Sequence, residues 1–170
     1  MAATNPIQSK TQPRPQKITT FLWFNDNAQE AAEFYCSVFK NSKILTSIPK
    51  GEAVPGPNVD VLVVDFELDG QRFTALNGGP QFKFTEAISL LVGYETQEEI
   101  DYYWEKLSEG GQTSQCGWLK DKYGLSWQVA PSNLSELLQG DKQRGDSVMK
   151  AVMKMTKLDI AEMEKAAAVR

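Results

Sequence analysis

The sequence predicts an α+β fold built from tandem βαβββ modules, whose curved and mostly antiparallel sheets enclose a cleft. Four observations carry this expectation. An apolar, strand-like stretch followed by a helix pattern occurs twice: Asn27 and Thr96, 69 positions apart, each read as a helix N-cap. Glu30 and Glu99 stand three residues after those caps, where a capping-box carboxylate reaches back to the cap N–H. Apolar residues then follow in step, with Ala31, Phe34, Tyr35 and Val38 matching Ile100, Tyr103, Trp104 and Leu107. Both sets have the i, i+3, i+4, i+7 spacing of a helix lying on a sheet. Finally, each copy has one helix pattern among several strand patterns, so most neighbouring strands meander antiparallel.

Taken in order, residues 1–16 are polar, carry proline and lack periodicity, which reads as a flexible tail. Lys17 to Phe24 forms a strand, Ala28 to Phe39 a helix, and Ser42 to Ile48 a strand. Pro49 to Asn58 holds three prolines and two glycines and reads as a loop, a candidate flap over a pocket. Val59 to Leu68 and Gln71 to Leu76 form a hairpin around Asp69-Gly70, a dipeptide suited to a type I′ turn. Asn77-Gly78-Gly79-Pro80 ends the strand, and Phe82 and Phe84 alternate in the connector Gln81 to Glu86. The second copy opens with a strand over Ala87 to Gly93 and a helix over Gln97 to Ser108, ended by Gly110-Gly111. Thr113 to Lys120 and Leu125 to Ala130 form its last hairpin. Pro131 to Gly140 starts a short helix capped by Ser132 or Asn133, and Ser147 to Met155 and Asp159 to Ala168 are further helices. The organisation is therefore a tail (1–16), a paired-module domain (17–131, modules about 17–80 and 87–131) and a helical extension (132–170).

Bulk properties exclude several function classes. A net charge of −4 with no basic stripe argues against nucleic acid. No apolar run reaches the roughly 20 residues that cross a bilayer, and no signal-peptide core is present, so the expected location is cytoplasmic, away from membranes. Cys36 and Cys116 are too few for a disulfide scaffold and read as reduced thiols. The chain has no histidine, which removes both the commonest metal ligand and the commonest general base.

Three segments carry a family resemblance: KITTFLWFNDNAQEAAEFYCSVF, NGGPQFKFTEAISLLV and CGWLKDKYGLSWQVAP. They resemble the 3-demethylubiquinone-9 3-methyltransferase-like (PhnB-like) family of the vicinal oxygen chelate superfamily, which includes glyoxalase I, bleomycin-resistance proteins and extradiol dioxygenases. Asn77 to Leu90 is the most specific part. The resemblance implies four strand positions that hold metal in the superfamily's enzymes. Counting from the helix caps and leading glycines, these are Thr20, Thr74, Ser89 and Gln128. None is a histidine, carboxylate or thiolate, so no metal and no cofactor are expected. Gly78-Gly79 reads as a strand-ending turn, not as the glycine-rich nucleotide loop of a Rossmann-type methyltransferase.

Strand alternation then assigns a lining. With Thr20 facing the cleft, Leu22 and Phe24 do too, while Phe21 and Trp23 pack on the helix. Leu91 follows Ser89, Ser126 follows Gln128, and Arg72 and Leu76 follow Thr74. The candidate ligand-binding residues are Thr20, Leu22, Phe24, Arg72, Thr74, Ser89, Trp118 and Gln128. Arg72 suits an anionic ligand group but equally a solvated strand position. Trp118 suits a pocket wall. Glu86, as a raised-pKa base, and Tyr123 are the weak catalytic candidates; their alternative readings are a loop carboxylate and a turn residue. Cys116 and Cys36 read as packing thiols, since nothing present activates them. The C-terminal methionines read as a sheet cover or, preferentially, a homodimer surface.

Two function classes compete. The first is a metal-free protein that holds a flat, partly apolar organic ligand between the modules. The alternative is a cofactorless enzyme of the same fold, a methyltransferase by family label only, or an isomerase or lyase. A third reading keeps the fold as a scaffold with a vacant cleft.

Overall fold

The computed structural model describes residues 16–139 and 141–168. Residues 1–15, which hold nearly all of the expected tail, and residues 140, 169 and 170 lie outside the described set. The first module runs β1 (Thr20–Phe24), α1 (Ala28–Val38), β2 (Lys43–Pro49), β3 (Val61–Leu68) and β4 (Gln71–Asn77). The second runs β5 (Leu90–Tyr94), α2 (Gln97–Ser108), β6 (Gln112–Thr113), β7 (Trp118–Lys120) and β8 (Ser126–Pro131). Three helices follow: α3 (Leu134–Leu138), α4 (Lys142–Val152) and α5 (Ile160–Ala168). Each module makes one four-stranded mixed sheet, ordered β1-β4-β3-β2 and β5-β8-β7-β6. Its first strand lies parallel to its last, and the other pairs are antiparallel.

The β3–β4 turn has Asp69 at φ 46° and Gly70 at φ 80°, the pair of positive values that a type I′ turn needs. The stretch expected as one strand from Thr113 to Lys120 is instead a small hairpin. Cys116 and Gly117 adopt φ of 61° and 79°, which folds β7 back on β6. A Cβ at Gly117 would lie 2.6 Å from the Val129 carbonyl oxygen, so glycine is required there for space as well as for φ. This split gives the second module its third post-helix strand. α4 also starts five residues earlier than the pattern suggested, because Asp141 caps it by accepting from the Arg144 N–H.

One hydrophobic core joins the modules. Leu22, Phe24, Val64 and Phe66 of the first sheet share it with Leu119, Trp127 and Val129 of the second, and the inner stripes of α1 and α2 fill the space between. Tyr35 on α1 packs against Phe66 on one side and Trp127 on the other, with ring centroids 6.3 and 5.5 Å away. The helices thus sit between the sheets, and the opposite face of each sheet points outward. A second, smaller core of Leu137, Val148, Val152, Leu158 and Met163 closes on Ala130 at the end of β8. The apolar residues of the extension are therefore largely buried among themselves, although Met149 and Met153 remain exposed.

Candidate functional site

The outward faces of the two sheets are the candidate site, and their composition turns on one residue. β5 follows β1 by 70 positions (90 − 20), whereas α2 follows α1 by 69 (97 − 28). The turn before α1 is Asn25-Asp26-Asn27, and the turn before α2 is the shorter Glu95-Thr96. Because side chains alternate with a period of two, one extra turn residue exchanges the faces of the strand relative to the helix cap. The expected lining is corrected accordingly. Leu22 and Phe24 are buried in the core, while Phe21 is exposed and Trp23 half-buried on the outer face. Thr20, partly buried, shares the inner side of its strand with Leu22, and the residue in step with Ser89 is Thr19.

The second module follows the expected faces. Trp127 and Val129 are buried in the core, so Ser126 and Gln128 look outward. The Gln128 amide donates to the Ser89 hydroxyl at 2.8 Å, which brings these two residues together. Trp118, paired with Gln128 on the next strand, shares that face, and Leu91 stands exposed beside them. In the first sheet Thr74 occupies the place of Gln128, since Phe73 and Trp127 pair equivalently with Thr20 and Leu90. The Thr74 hydroxyl donates to Asp65 at 2.6 Å. Arg72 is exposed and lines a shallow cavity of about 290 Å³ with Thr19, Thr46, Asp65 and Thr74. Thr19, Thr74, Ser89 and Gln128 therefore belong to two outward faces and not to one intramolecular hollow. A crevice of about 340 Å³ does open between the modules along β5, bounded by Phe39, Leu68, Phe73 and Trp127, and Ser89 and Leu91 of the expected lining reach it.

The catalytic candidates are both engaged by charged neighbours. Glu86 is exposed and ion-paired with Lys120 at 2.5 Å. That bond lowers its pKa, the reverse of the raised value expected of a base. Tyr123 donates to Glu30 at 2.8 Å and packs its ring against Phe24, Phe34 and Tyr35. Burial, then the Glu30 bond, pushes its phenol well above the ordinary tyrosine range. Glu30, expected to complete a capping box, is thereby spent on a contact between modules. Burial raises the Cys36 thiol, and the Cys116 sulfur rests 3.6 Å from that of Met153.

Sequence reasoning passed over Asp121, taken only as part of a turn. Its carboxylate is buried and accepts four hydrogen bonds, from Tyr35 Oη (2.7 Å), Trp127 Nε1 (2.8 Å) and the backbone N–H groups of Tyr123 (2.9 Å) and Leu125 (3.0 Å). Desolvation nonetheless raises its pKa, with those donors acting against the rise. With every acceptor direction used inward, Asp121 is a structural hub joining α1 to the second sheet.

The donor chemistry of the superfamily's metal positions does not suit a catalytic cation: hydroxyls and a carboxamide offer no strong ligand, and Asp65 is spent on Thr74. Among the described residues, no group of three or more His, Cys, Asp or Glu could hold a metal ion. The glycine turn offers no cradle to a nucleotide cofactor. The N–H groups of Gly78 and Gly79 are bound by the carbonyls of Phe24 and Asn25, and a Cβ on Gly78 would sit 2.4 Å from the Trp23 ring. Asn77 uses its side chain to accept from the Ala28 N–H (2.7 Å) and to donate to the Val61 carbonyl (2.9 Å). The most specific stretch of the sequence thus encodes a helix cap and a tight packing contact. Among the described residues, no helix is long and apolar enough to cross a membrane.

Known proteins agree with this geometry. The sequence model of the family described as 3-demethylubiquinone-9 3-methyltransferase matches residues 16–130. No curated protein matches. A Bacillus cereus protein described as a putative 3-demethylubiquinone-9 3-methyltransferase, PhnB protein, is 41% identical; the match covers 68% of this chain and 99% of that one, with a TM-score of 0.62. The fold is shared more distantly with a Pseudomonas aeruginosa protein (18% identity, 68% and 98% coverage, TM-score 0.59). It is also shared with the fosfomycin resistance protein FosX of Listeria monocytogenes (16% identity, 75% and 99% coverage, TM-score 0.54). The paired βαβββ sheets, the Asn77 turn and the extent of these matches together make this chain a member of the 3-demethylubiquinone-9 3-methyltransferase (PhnB-like) family, with the glyoxalase/bleomycin-resistance type of fold.

Proposed function

We propose that this protein is a metal-free small-molecule binding protein, and that two copies close its ligand hollow by bringing outward sheet faces together. The carrying observation is the placement of both helices between the sheets, which leaves two outward faces bearing exposed Phe21, Ile48 and Leu91. Exposed apolar side chains gathered on a sheet face mark an interaction surface. β1 and β5 are also edge strands of their sheets, with a backbone side available for pairing to another chain. A two-fold dimer would bury these faces, and Trp118, Gln128, Ser89, Thr74 and Arg72 would line the space left between them. Their mix of hydroxyl, amide, guanidinium and indole suits a flat, partly polar organic compound.

The enzyme alternative has weaker support, because Glu86 is kept ionised by Lys120 and Tyr123 is kept protonated beside Glu30. Sedimentation together with a thermal-shift screen of metabolites and antibiotics tests the proposal. A dimer that becomes monomeric on Phe21→Asp or Leu91→Asp, and a compound that raises the melting temperature without being consumed, are expected. A wild-type monomer, or a screened compound turned over at a rate that Glu86→Gln abolishes, would defeat the reading.

A further inference from the structure

A cavity of about 450 Å³ lies on the outer face of the second sheet, lined by Glu86, Thr113, Ser114, Trp118, Lys120 and Ser126. Its volume falls within the ~300–1,000 Å³ of small-molecule sites. Two features distinguish it from an incidental hollow. Ser126 is only 1% exposed, yet its hydroxyl has no hydrogen-bond partner, alone among the buried side-chain polar atoms of the described residues. A buried hydroxyl normally has a partner, because leaving one unmade costs free energy. Lys120, the cross-strand neighbour of Ser126, shares its face, so the two Cβ atoms stand roughly 5 Å apart. The ammonium of Lys120 is held by Glu86, whose side chain is 63% exposed and sits outside the strands. That carboxylate can swing into water at little cost, since exposed ion pairs contribute little.

We infer that this cavity is a seat for a planar aromatic carboxylate. The ligand's carboxylate takes the place of Glu86 on Lys120, Ser126 donates its unused hydroxyl to it, and the ring lies against Trp118. The charge count selects a carboxylate over a phosphate or phosphonate. Among the described residues Lys120 is the one cation lining the cavity, and a dianion would be left half compensated. Glu86 acts as a resident competitor that keeps the ammonium paired while the seat is vacant.

This inference rests on the small-molecule reading above and narrows it to a ligand class. The test is calorimetric titration of the full chain with 2-naphthoate and with its uncharged counterpart, 2-naphthamide. Naphthoate is expected to bind about 10- to 100-fold more tightly, the range of a charge-assisted hydrogen bond. Glu86→Gln, an exposed change that leaves the fold intact, should tighten naphthoate several-fold by removing the competitor. Lys120→Met should reduce naphthoate to the level of the amide, and Ser126→Ala should weaken naphthoate while sparing the amide. Equal binding of the two compounds, or no tightening in Glu86→Gln, overturns the inference and leaves the small-molecule reading standing. If neither compound binds, the inference falls, and a silent thermal-shift screen then removes the broader reading as well.

Discussion

The two modules bury matching helix positions, Ala31, Tyr35 and Val38 against Ile100, Trp104 and Leu107, but hold their helices by different means. In the second, Thr96 caps α2 locally: its hydroxyl accepts from the Glu99 N–H at 3.2 Å, and Glu99 returns a carboxylate to the same hydroxyl. In the first, Asn27 makes no side-chain cap bond, and the first N–H of α1 is taken by Asn77 from the end of β4. A local cap fixes a helix to its own turn. A remote cap fixes it to the sheet and allows the turn to be one residue longer. The modules differ again where β7 leaves the second sheet. Register places Leu68 of the first module and Asp121 of the second at equivalent positions, one after Glu67 and Lys120. One module closes its core there with a leucine, the other with a carboxylate that collects four donors. Duplication conserves the frame, then, while the joints between frame elements are solved separately in each copy.

The sharpest way to break this comparison is Asp121→Ala. It strands the Tyr35 hydroxyl, the Trp127 indole N–H and two backbone N–H groups inside the core. Buried donors without partners cost about 1–3 kcal/mol each and do not add fully, so a loss of about 3–5 kcal/mol is expected in urea unfolding. A loss under about 1 kcal/mol would mean that water satisfies those donors and that Asp121 is no hub. Next in size is Asn77→Ala, which removes the buried remote cap and a half-buried hydrogen bond to Val61; about 2–3 kcal/mol is expected. Thr96→Ala, which loses an exposed local cap, should cost about 1 kcal/mol or less. The order of these two is the point: if Thr96→Ala proves the more costly, the remote cap is not what holds α1.

The periodicities made the module plan and the helix stripes readable in advance, because burial of one helix face leaves its imprint on every third and fourth residue. The face of β1 was not readable that way. Counting back from the cap assumes equal turns, and a single added asparagine or aspartate in 25–27 carries no signal of its own. In β8 the count runs forward from Gly124 with no variable turn between, and it assigns Ser126 and Gln128 to one face and the buried Trp127 and Val129 to the other, as found. The hairpin hidden in residues 112–120 escaped notice since its left-handed Cys116 is a residue type that does not announce a positive φ, although Gly117 beside it does. Asp121 escaped for a related reason: a turn aspartate and a buried hub look identical until Tyr35 and Trp127, far apart in the chain, converge on it. The Lys120–Ser126 face lay within reach, because both residues alternate in step with Trp118 and Gln128.

The smallest effect concerns pH and isolates the carboxylate that one module has and the other lacks. Burial places the folded-state pKa of Asp121 above that of the unfolded chain, so folding favours the protonated form of this group. Its contribution is then fully present below the ordinary aspartate pKa, declines as pH rises through the raised folded value, and is constant above it. Glu86 and Asp101 behave oppositely. Their bonds to Lys120 and Lys157 depress their pKa values, so what they contribute is present above the ordinary carboxylate range and lost on acidification. Whole-protein pH curves mix the two signs, and the comparison has to be differential. The stability gap between wild type and Asp121→Asn, measured by urea unfolding at steps from pH 7 to pH 4, should widen as pH falls, because only the wild type gains a proton at this position. A gap that narrows instead would show the four donors outweighing desolvation, and Asp121 would then be an anion held by its hydrogen bonds.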